Sequence, residues 1–254
     1  MAGKSKQYII TGASRGFGRD LALELAGRDV TLHLVARSEM KDLAKEVEEA
    51  GAEAHIWQQD LADIVELRTL MENISRHIRR ETVAELMLIN NAGMLEPVGP
   101  AGKYDFRTYH TNLEINFVSP MALTHAFLEL FQDWDMRKRV VMISSGASQK
   151  PYFGWSHYCS TKAGVDMFVK VVGIEQEQQK LPVEIIAFNP GRISTDMQAL
   201  IRETSDEDFP MVQDFVKAWE EGRIGDSRDV AARLVRLITS DYIPSGKVLS
   251  HRDI

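Results

Sequence analysis

The sequence predicts an α/β fold in three layers: a doubly wound, seven-stranded, mostly parallel sheet with helices on both faces. Two observations carry this. Short apolar runs alternate with amphipathic stretches along the whole chain. The apolar runs are continuous (V-V-M-I, V-E-I-I-A-F) rather than alternating with polar residues, as expected of strands covered on both sides. Repeated β-α units with right-handed crossovers then build a doubly wound sheet.

Taken in order, the apolar runs place strands at residues 8–10, 30–35, 54–58, 86–90, 139–144, 183–188 and 247–250. Helical periodicity covers residues 17–26, 40–50, 65–79, 111–131, 158–176, 211–220 and 230–239. Ser38 is positioned to cap the second helix and Gly51 to end it. The helix at 111–131 must accommodate Pro120, which lacks an N–H and crowds the preceding turn. The acidic run E-T-S-D-E-D at 203–208 reads as a solvated loop, with a mobile lid as the other reading.

Composition narrows the function. With 254 residues, 44% hydrophobic and 26% charged, the chain has ordinary globular usage and is expected to form one domain over 1–254. Its 37 acidic against 30 basic residues disfavour nucleic-acid binding, which draws its affinity from Lys and Arg. The lone Cys159 fits a reducing compartment. The absence of an apolar run near the roughly 20 residues of a membrane span, and of a signal-like N-terminus, points to a soluble cytoplasmic protein. The seven histidines lack metal-ligand spacing, so no metal is expected.

After the first strand comes T-G-A-S-R-G-F-G, which places Gly12, Gly16 and Gly18 at a strand-to-helix turn. Glycines there let the backbone approach a pyrophosphate while the helix dipole faces its charge. The spacing is G-x-x-x-G-x-G rather than G-x-G-x-x-G. The second strand ends in V-A-R-S, without the carboxylate that would accept from an NAD ribose hydroxyl. Arg37 there, with Arg15 in the glycine turn, suits a 2′-phosphate instead, which points to NADP(H).

Tyr158 and Lys162 stand four residues apart on one helical face. An ammonium beside a phenol favours the phenolate and is expected to lower the tyrosine pKa, easing proton transfer to a carbonyl oxygen. Ser145 follows a strand at the carboxyl end of the sheet, where its hydroxyl is placed to stabilise developing charge on that oxygen.

These residues occur in one order with Asn90-Asn91-Ala92-Gly93, Asn116 and Pro190-Gly191. Together they resemble the short-chain dehydrogenase/reductase family over essentially the whole chain. The resemblance implies a Rossmann fold, a nicotinamide cofactor and a homodimer or homotetramer. By the same resemblance Tyr158 donates the proton, Ser145 orients the carbonyl, Lys162 holds the nicotinamide ribose, and Asn116 holds a water beside Lys162. The implied cofactor site comprises Gly12, Ser14, Arg15, Gly16, Phe17, Gly18, Arg37, Ser38, Asp60, Leu61, Asn91, Ala92 and Gly93. It continues through Tyr158 and Lys162 to Pro190, Gly191, Ile193, Thr195, Met197 and Gln198.

Within the family, A-R-S-E at 36–39, G-W-x-x-Y-C-x-x-K-A at 154–163 and T-D-M-Q at 195–198 are most similar to the sepiapterin reductase branch, which reduces carbonyls on a pterin side chain. That likeness implies a substrate pocket of Ser145, Gly146, Tyr152, Trp155, Tyr158, Gly191 and Met197, and a place in tetrahydrobiopterin biosynthesis. One departure stands out: Ser250 occupies the position where that branch carries a pterin-anchoring Asp, and the nearest carboxylate is Asp253. A reductase of small diketones of the benzil type is the alternative, and a dinucleotide-sensing binding protein the non-enzymatic one.

Overall fold

The computed structural model describes residues 5–254; residues 1–4 of the expected 1–254 domain lie outside them. Seven strands, β1 (Ser5–Thr11), β2 (Val30–Ala36), β3 (Glu53–Gln58), β4 (Val83–Asn90), β5 (Arg137–Ile143), β6 (Glu184–Asn189) and β7 (Lys247–Ser250), form one sheet. Their order is β3-β2-β1-β4-β5-β6-β7, and every pairing is parallel. The helices are α1 (Gly16–Leu25), α2 (Lys41–Glu49), α3 (Ile64–His77), α4 (Phe106–Leu113), α5 (Ser119–Phe131), α6 (Ser156–Gln176), α7 (Asp196–Glu203), α8 (Val212–Glu220) and α9 (Ser227–Ile238).

Strand side chains alternate between two buried faces, which is why the apolar runs are unbroken. Ile10, Leu32 and Leu34 pack beneath α1, α2 and α9 with Leu21, Val47 and Leu234. Ile9, Val35, Leu88 and Val140 pack on the other face with Leu70, Phe127 and Val169 of α3, α5 and α6. The chain winds outward from β1 to β3, then returns to β4 on the other side of β1. Crossovers leave the strand ends in opposite directions there, opening a crevice beyond the carboxyl ends of the strands.

Several local expectations change. Ser38 makes no cap: α2 begins after Met40, with no side-chain bond to its first amides. The long helix at 111–131 is three segments, α4, a π-turn at Glu114–Val118, and α5. Pro120 gives the reason, since its ring would meet the carbonyl four residues back in a regular helix, and the wider turn before it relieves that contact. The helix α7 was unforeseen. The acidic segment at 203–208 is tethered at its end rather than forming a free lid: Asp208 pairs with Lys103, and Phe209 beyond it is fully buried. Among the described residues, no helix is long and apolar enough to cross a membrane.

At the sheet's far edge, His33 is fully buried beside His55 and His77, with ring centroids 5.2 Å apart for His33–His55 and 5.5 Å for His55–His77. Trp57 Nε1, a donor only, reaches His33 Nδ1 at 3.3 Å, so the neutral ring donates from Nε2 to Gln7 Oε1 at 3.0 Å. Burial first, then the two neighbouring histidines, hold the His33 pKa down to about 3. A base with a depressed folded pKa leaves the unfolded chain binding the extra proton between the ordinary histidine value and about 3. Stability is therefore expected to fall with acid across that window, by on the order of 4 kcal/mol at its foot. Urea midpoints at pH 7 and pH 4.5 should separate widely for the wild type and less for His33→Gln; equal separations would remove His33 as the source.

Candidate active site

The crevice is an open cleft of about 1640 Å³. Its floor begins at the glycine turn, where Gly12 has φ +65° and Gly16 φ +53°. A Cβ on Gly12 would lie 2.8 Å from Ala92 Cα, so only glycine lets this turn nest against the N-N-A-G turn after β4. The two turns are laced together. Asn91 Nδ2 donates to Thr11 O at 3.0 Å and Gly12 O at 3.2 Å, while Thr11 Oγ1 accepts from the backbone amides of Asn91 (3.0 Å) and Ala92 (3.1 Å).

The first turn of α1 carries neither a side-chain cap nor an acidic residue, which leaves its positive end open toward the cleft. Arg15 and Arg37 stand at the mouth. Arg15 pairs with Asp196 at 3.1 Å and Arg37 with Asp60 at 3.9 Å, with both guanidiniums more than three-quarters exposed. Exposed pairs contribute little, so either arginine can turn to a phosphate at small cost. On α7, Gln198 Oε1 is buried without a donor, an acceptor suited to a carboxamide N–H. A cradle closed to any Cβ, an open helix terminus, two exposed and weakly held guanidiniums and an orphaned acceptor fit a nicotinamide dinucleotide.

Ser145, Tyr158 and Lys162 converge on this cleft. Ser145 leaves β5 in extended conformation, its Oγ accepting from Ala147 N at 3.2 Å. Tyr158 and Lys162, one turn apart on α6, are nearly inaccessible to solvent. Lys162 Nζ lies 5.9 Å from the centroid of the Tyr158 ring and donates to Ile143 O at 2.8 Å. Burial lowers its pKa to about 8 against the opposing pull of Asp166. The expected depression of the Tyr158 pKa does not occur. Burial raises it, Ser145 opposes that by hydrogen bonding, and Lys162 is not among the groups acting on it. Removal of the phenol from water dominates, and the ammonium is engaged by the Ile143 carbonyl rather than by the phenol.

Asn116 sits behind the cleft, turned inward by the π-turn and fully buried. Its Oδ1 accepts from Met94 N at 2.8 Å and its Nδ2 donates to Met94 O at 2.7 Å, which fixes the loop after β4. A Cβ on Gly93 would stand 3.3 Å from that Oδ1 and 3.7 Å from Lys162 Nζ, so this glycine sits against both side chains. Gly18 also lies behind the wall, whereas Ser14, Phe17, Ser38, Leu61, Pro190, Gly191, Ile193, Thr195, Met197 and Gln198 line it.

On the substrate side, Gly146, Tyr152, Gly191 and Met197 line the cleft. Met197 Sδ is the acceptor for the Tyr158 hydroxyl, at 3.9 Å. Trp155 touches the cleft but serves chiefly as core, stacked on Phe209 with centroids 4.6 Å apart and planes inclined by 3°. The flanking His157 packs against Tyr109 and faces Leu95 O rather than the cleft. Sequence reading missed Arg233 and His251, which line the cleft from α9 and from beyond β7.

Comparison with known proteins decides the family: the pattern for short chain dehydrogenases matches residues 6–206. The chain belongs to this family of oxidoreductases. It is 39% identical over 244 residues to a benzil reductase ((S)-benzoin forming) of Bacillus cereus, covering 96% of this chain and 98% of that one. It is 33% identical over 256 residues to the sepiapterin reductase of Rattus norvegicus, covering 97% and 96%. A solved short-chain dehydrogenase/reductase of Saccharomyces cerevisiae superposes with a TM-score of 0.80 at 28% identity, covering 98% of this chain and 97% of that one. The family binds a nicotinamide dinucleotide.

A Cβ at Gly18 would fall 2.3 Å from both Asn91 Nδ2 and Gly12 O. Gly18→Ala should therefore break the lacing of the two turns, lower Tm by several degrees and weaken binding of the reduced nicotinamide dinucleotide at least tenfold by fluorescence titration. Unchanged binding would show the lacing to be dispensable.

Proposed function

We propose that this chain is an NADP(H)-dependent ketone reductase, acting on vicinal diketones of the benzil type. It works in the cytoplasm as a homo-oligomer of a single 1–254 domain. The observation that carries the reductase reading is the convergence of a buried phenol, a buried amine and a strand-end hydroxyl in one cleft with the glycine turn. A bound nicotinamide dinucleotide supplies the hydride. Ser145 Oγ and Tyr158 Oη hold the substrate carbonyl oxygen, displacing the Met197 thioether from the phenol. Tyr158 then gives its proton to that oxygen. A phenol whose pKa is raised stays protonated at neutral pH, which suits a donor, and the alkoxide it meets is a far stronger base. Lys162, charged below about pH 8, holds its ammonium 5.9 Å from the centroid of that ring, from where it turns from the Ile143 carbonyl to the phenolate once the proton has left.

The diketone reading is favoured over a pterin by the end of the chain. Ser250 stands where an anchoring carboxylate is expected, and Asp253 Oδ2 is already engaged by Ser250 N (2.6 Å) and Oγ (2.8 Å). At the position of the anchoring carboxylate, Ser250 thus offers a hydroxyl without charge. The pterin reading keeps the support of the stretches shared with the sepiapterin reductases. Preference for NADPH is supported by the exposed Arg15 and Arg37 and by the absence of a carboxylate at the end of β2. Oligomerisation is supported by Met167, Val171 and Ile174, exposed together along α6.

Values of kcat/KM for benzil, 1-phenyl-1,2-propanedione and sepiapterin, each with NADPH and NADH, test these choices. The diketones should exceed sepiapterin by at least tenfold, and NADPH should exceed NADH. The reverse substrate order would favour the pterin reading, and a preference for NADH would overturn the role of the arginines. Tyr158→Phe should lower kcat by about 10²–10⁴ with little change in KM. Arg37→Leu should raise KM for NADPH about tenfold while leaving that for NADH.

The pH profile follows from Lys162. In the reducing direction kcat should be level below about pH 7 and fall as pH rises through about 8, where the ammonium loses its proton. A level profile to pH 10 would separate Lys162 from the proton step.

A further inference from the structure

The far end of the cleft, where β7 gives way to the last residues, is furnished with donors. His251 rests on Gly191, whose φ is +76°; a Cβ there would fall 2.3 Å from the imidazole Cε1, so the glycine makes the seat. The segment is pinned from two sides: His251 N donates to Asn189 O at 2.9 Å, and Arg233 Nη1 donates to His251 O at 3.3 Å. In this seat His251 Nδ1 and Arg233 Nε are both buried without a hydrogen bond among the described residues, the nearest carboxylate to Nε being Asp229 at 3.6 Å. Arg192, stacked 4.0 Å from the centroid of Phe215, and the exposed Arg252 line the same end, and neither makes an ion pair among the described residues.

The acidic groups nearby offer little in return. Asp253 is closed on Ser250, and Asp229 meets Arg233 only at 3.6 Å while more than two-thirds exposed. Burial, Arg252 and Arg233 all favour the neutral form of His251, as expected of a ring set among cations. Buried donors without partners are costly, and guanidinium groups pair best with planar oxygen anions.

We infer that this end of the cleft, built by Arg233, His251, Arg252 and Arg192 around Gly191, is a subsite for an acceptor oxygen of the substrate, most strongly a carboxylate. The preferred ketones are then those carrying a carboxylate away from the reacting carbonyl. The inference rests on the ketone-reductase reading. A second carbonyl, as in a diketone, uses the same donors more weakly.

The test compares benzoylformate, 3-benzoylpropionate and 4-benzoylbutyrate with their methyl esters, using NADPH, in the wild type and in Arg233→Gln and Arg252→Gln. In the wild type at least one acid should show a KM about tenfold below that of its ester, and 0.5 M NaCl should erase the difference. Each variant should erase it too; because Arg252 is exposed, its replacement does not threaten folding. Esters equal to acids across the series would overturn the subsite. So would variants that raise KM for NADPH instead, since the donors would then serve the cofactor. Calorimetric titration of the wild type with 4-phenylbutyrate and 4-phenylbutylamine decides the matter without turnover. The acid should bind at least tenfold more tightly, and parity would overturn the subsite. Binding of the acid in an enzyme that reduces no ketone would leave the subsite standing and remove the reductase reading.

Discussion

Removing the Lys162 ammonium from water is the constraint around which the site is organised. Its pKa lies near 8 because burial opposes the charge, a penalty on the order of 3 kcal/mol in the folded state at neutral pH. The sign follows from linkage: the penalty is present below the folded value and is relieved as pH climbs from about 8 toward the ordinary lysine range. The fold offsets it locally. The carbonyl of Ile143 at the end of β5 accepts a hydrogen bond from Nζ, and Asp166, one turn further along α6, favours the charge. Asp166 is itself fixed by the Ser144 hydroxyl. Two buried residues of one helix and the end of one strand thus keep an amine near its titration point beside a phenol.

Much of this was legible in the sequence. Unbroken apolar runs announced strands buried on both faces, and all seven are found in one parallel sheet. The spacing of Tyr158 and Lys162 placed them on one face of α6, and Ser145 fell at a strand end because V-V-M-I could only be a strand. The direction of the Tyr158 shift was not legible. Neighbour identity is written in the spacing, whereas desolvation is set by packing against residues distant in the chain. The helix α7 was hidden because its eight residues lie between Pro190-Gly191 and an acidic run, both of which read as loop. Arg233 and His251 gave no signal, since a glycine sixty residues before His251 determines where its ring rests.

The cleft joins two chemistries on one scaffold. At the glycine turn, backbone amides and flexible arginines face a region suited to phosphate, with small side chains permitting close approach. At the opposite end the walls come from α6, α7 and the residues beyond β7, where aromatic rings and cations dominate. The stack of Trp155 on Phe209 ties the loop before α6 to the one after α7, so the substrate wall is braced from both sides. The parts proposed to face phosphate therefore rest on strand ends near the centre of the sheet, while those proposed to face substrate rest on shorter and more exposed elements.

The widened turn at Glu114–Val118 has a consequence for how the gene can change. It carries one residue more than a regular helical turn would, so α4 and α5 are out of phase with each other across it. Losing a single codon there would swing everything upstream by about 100° about the axis and press the Pro120 ring against the preceding turn. Asn112, whose Nδ2 holds the carbonyls of Met94 and Glu96 at 3.1 and 2.8 Å, would face the wrong way. Length in this segment is thus fixed as firmly as any side chain in the cleft, although nothing in its composition marks it out.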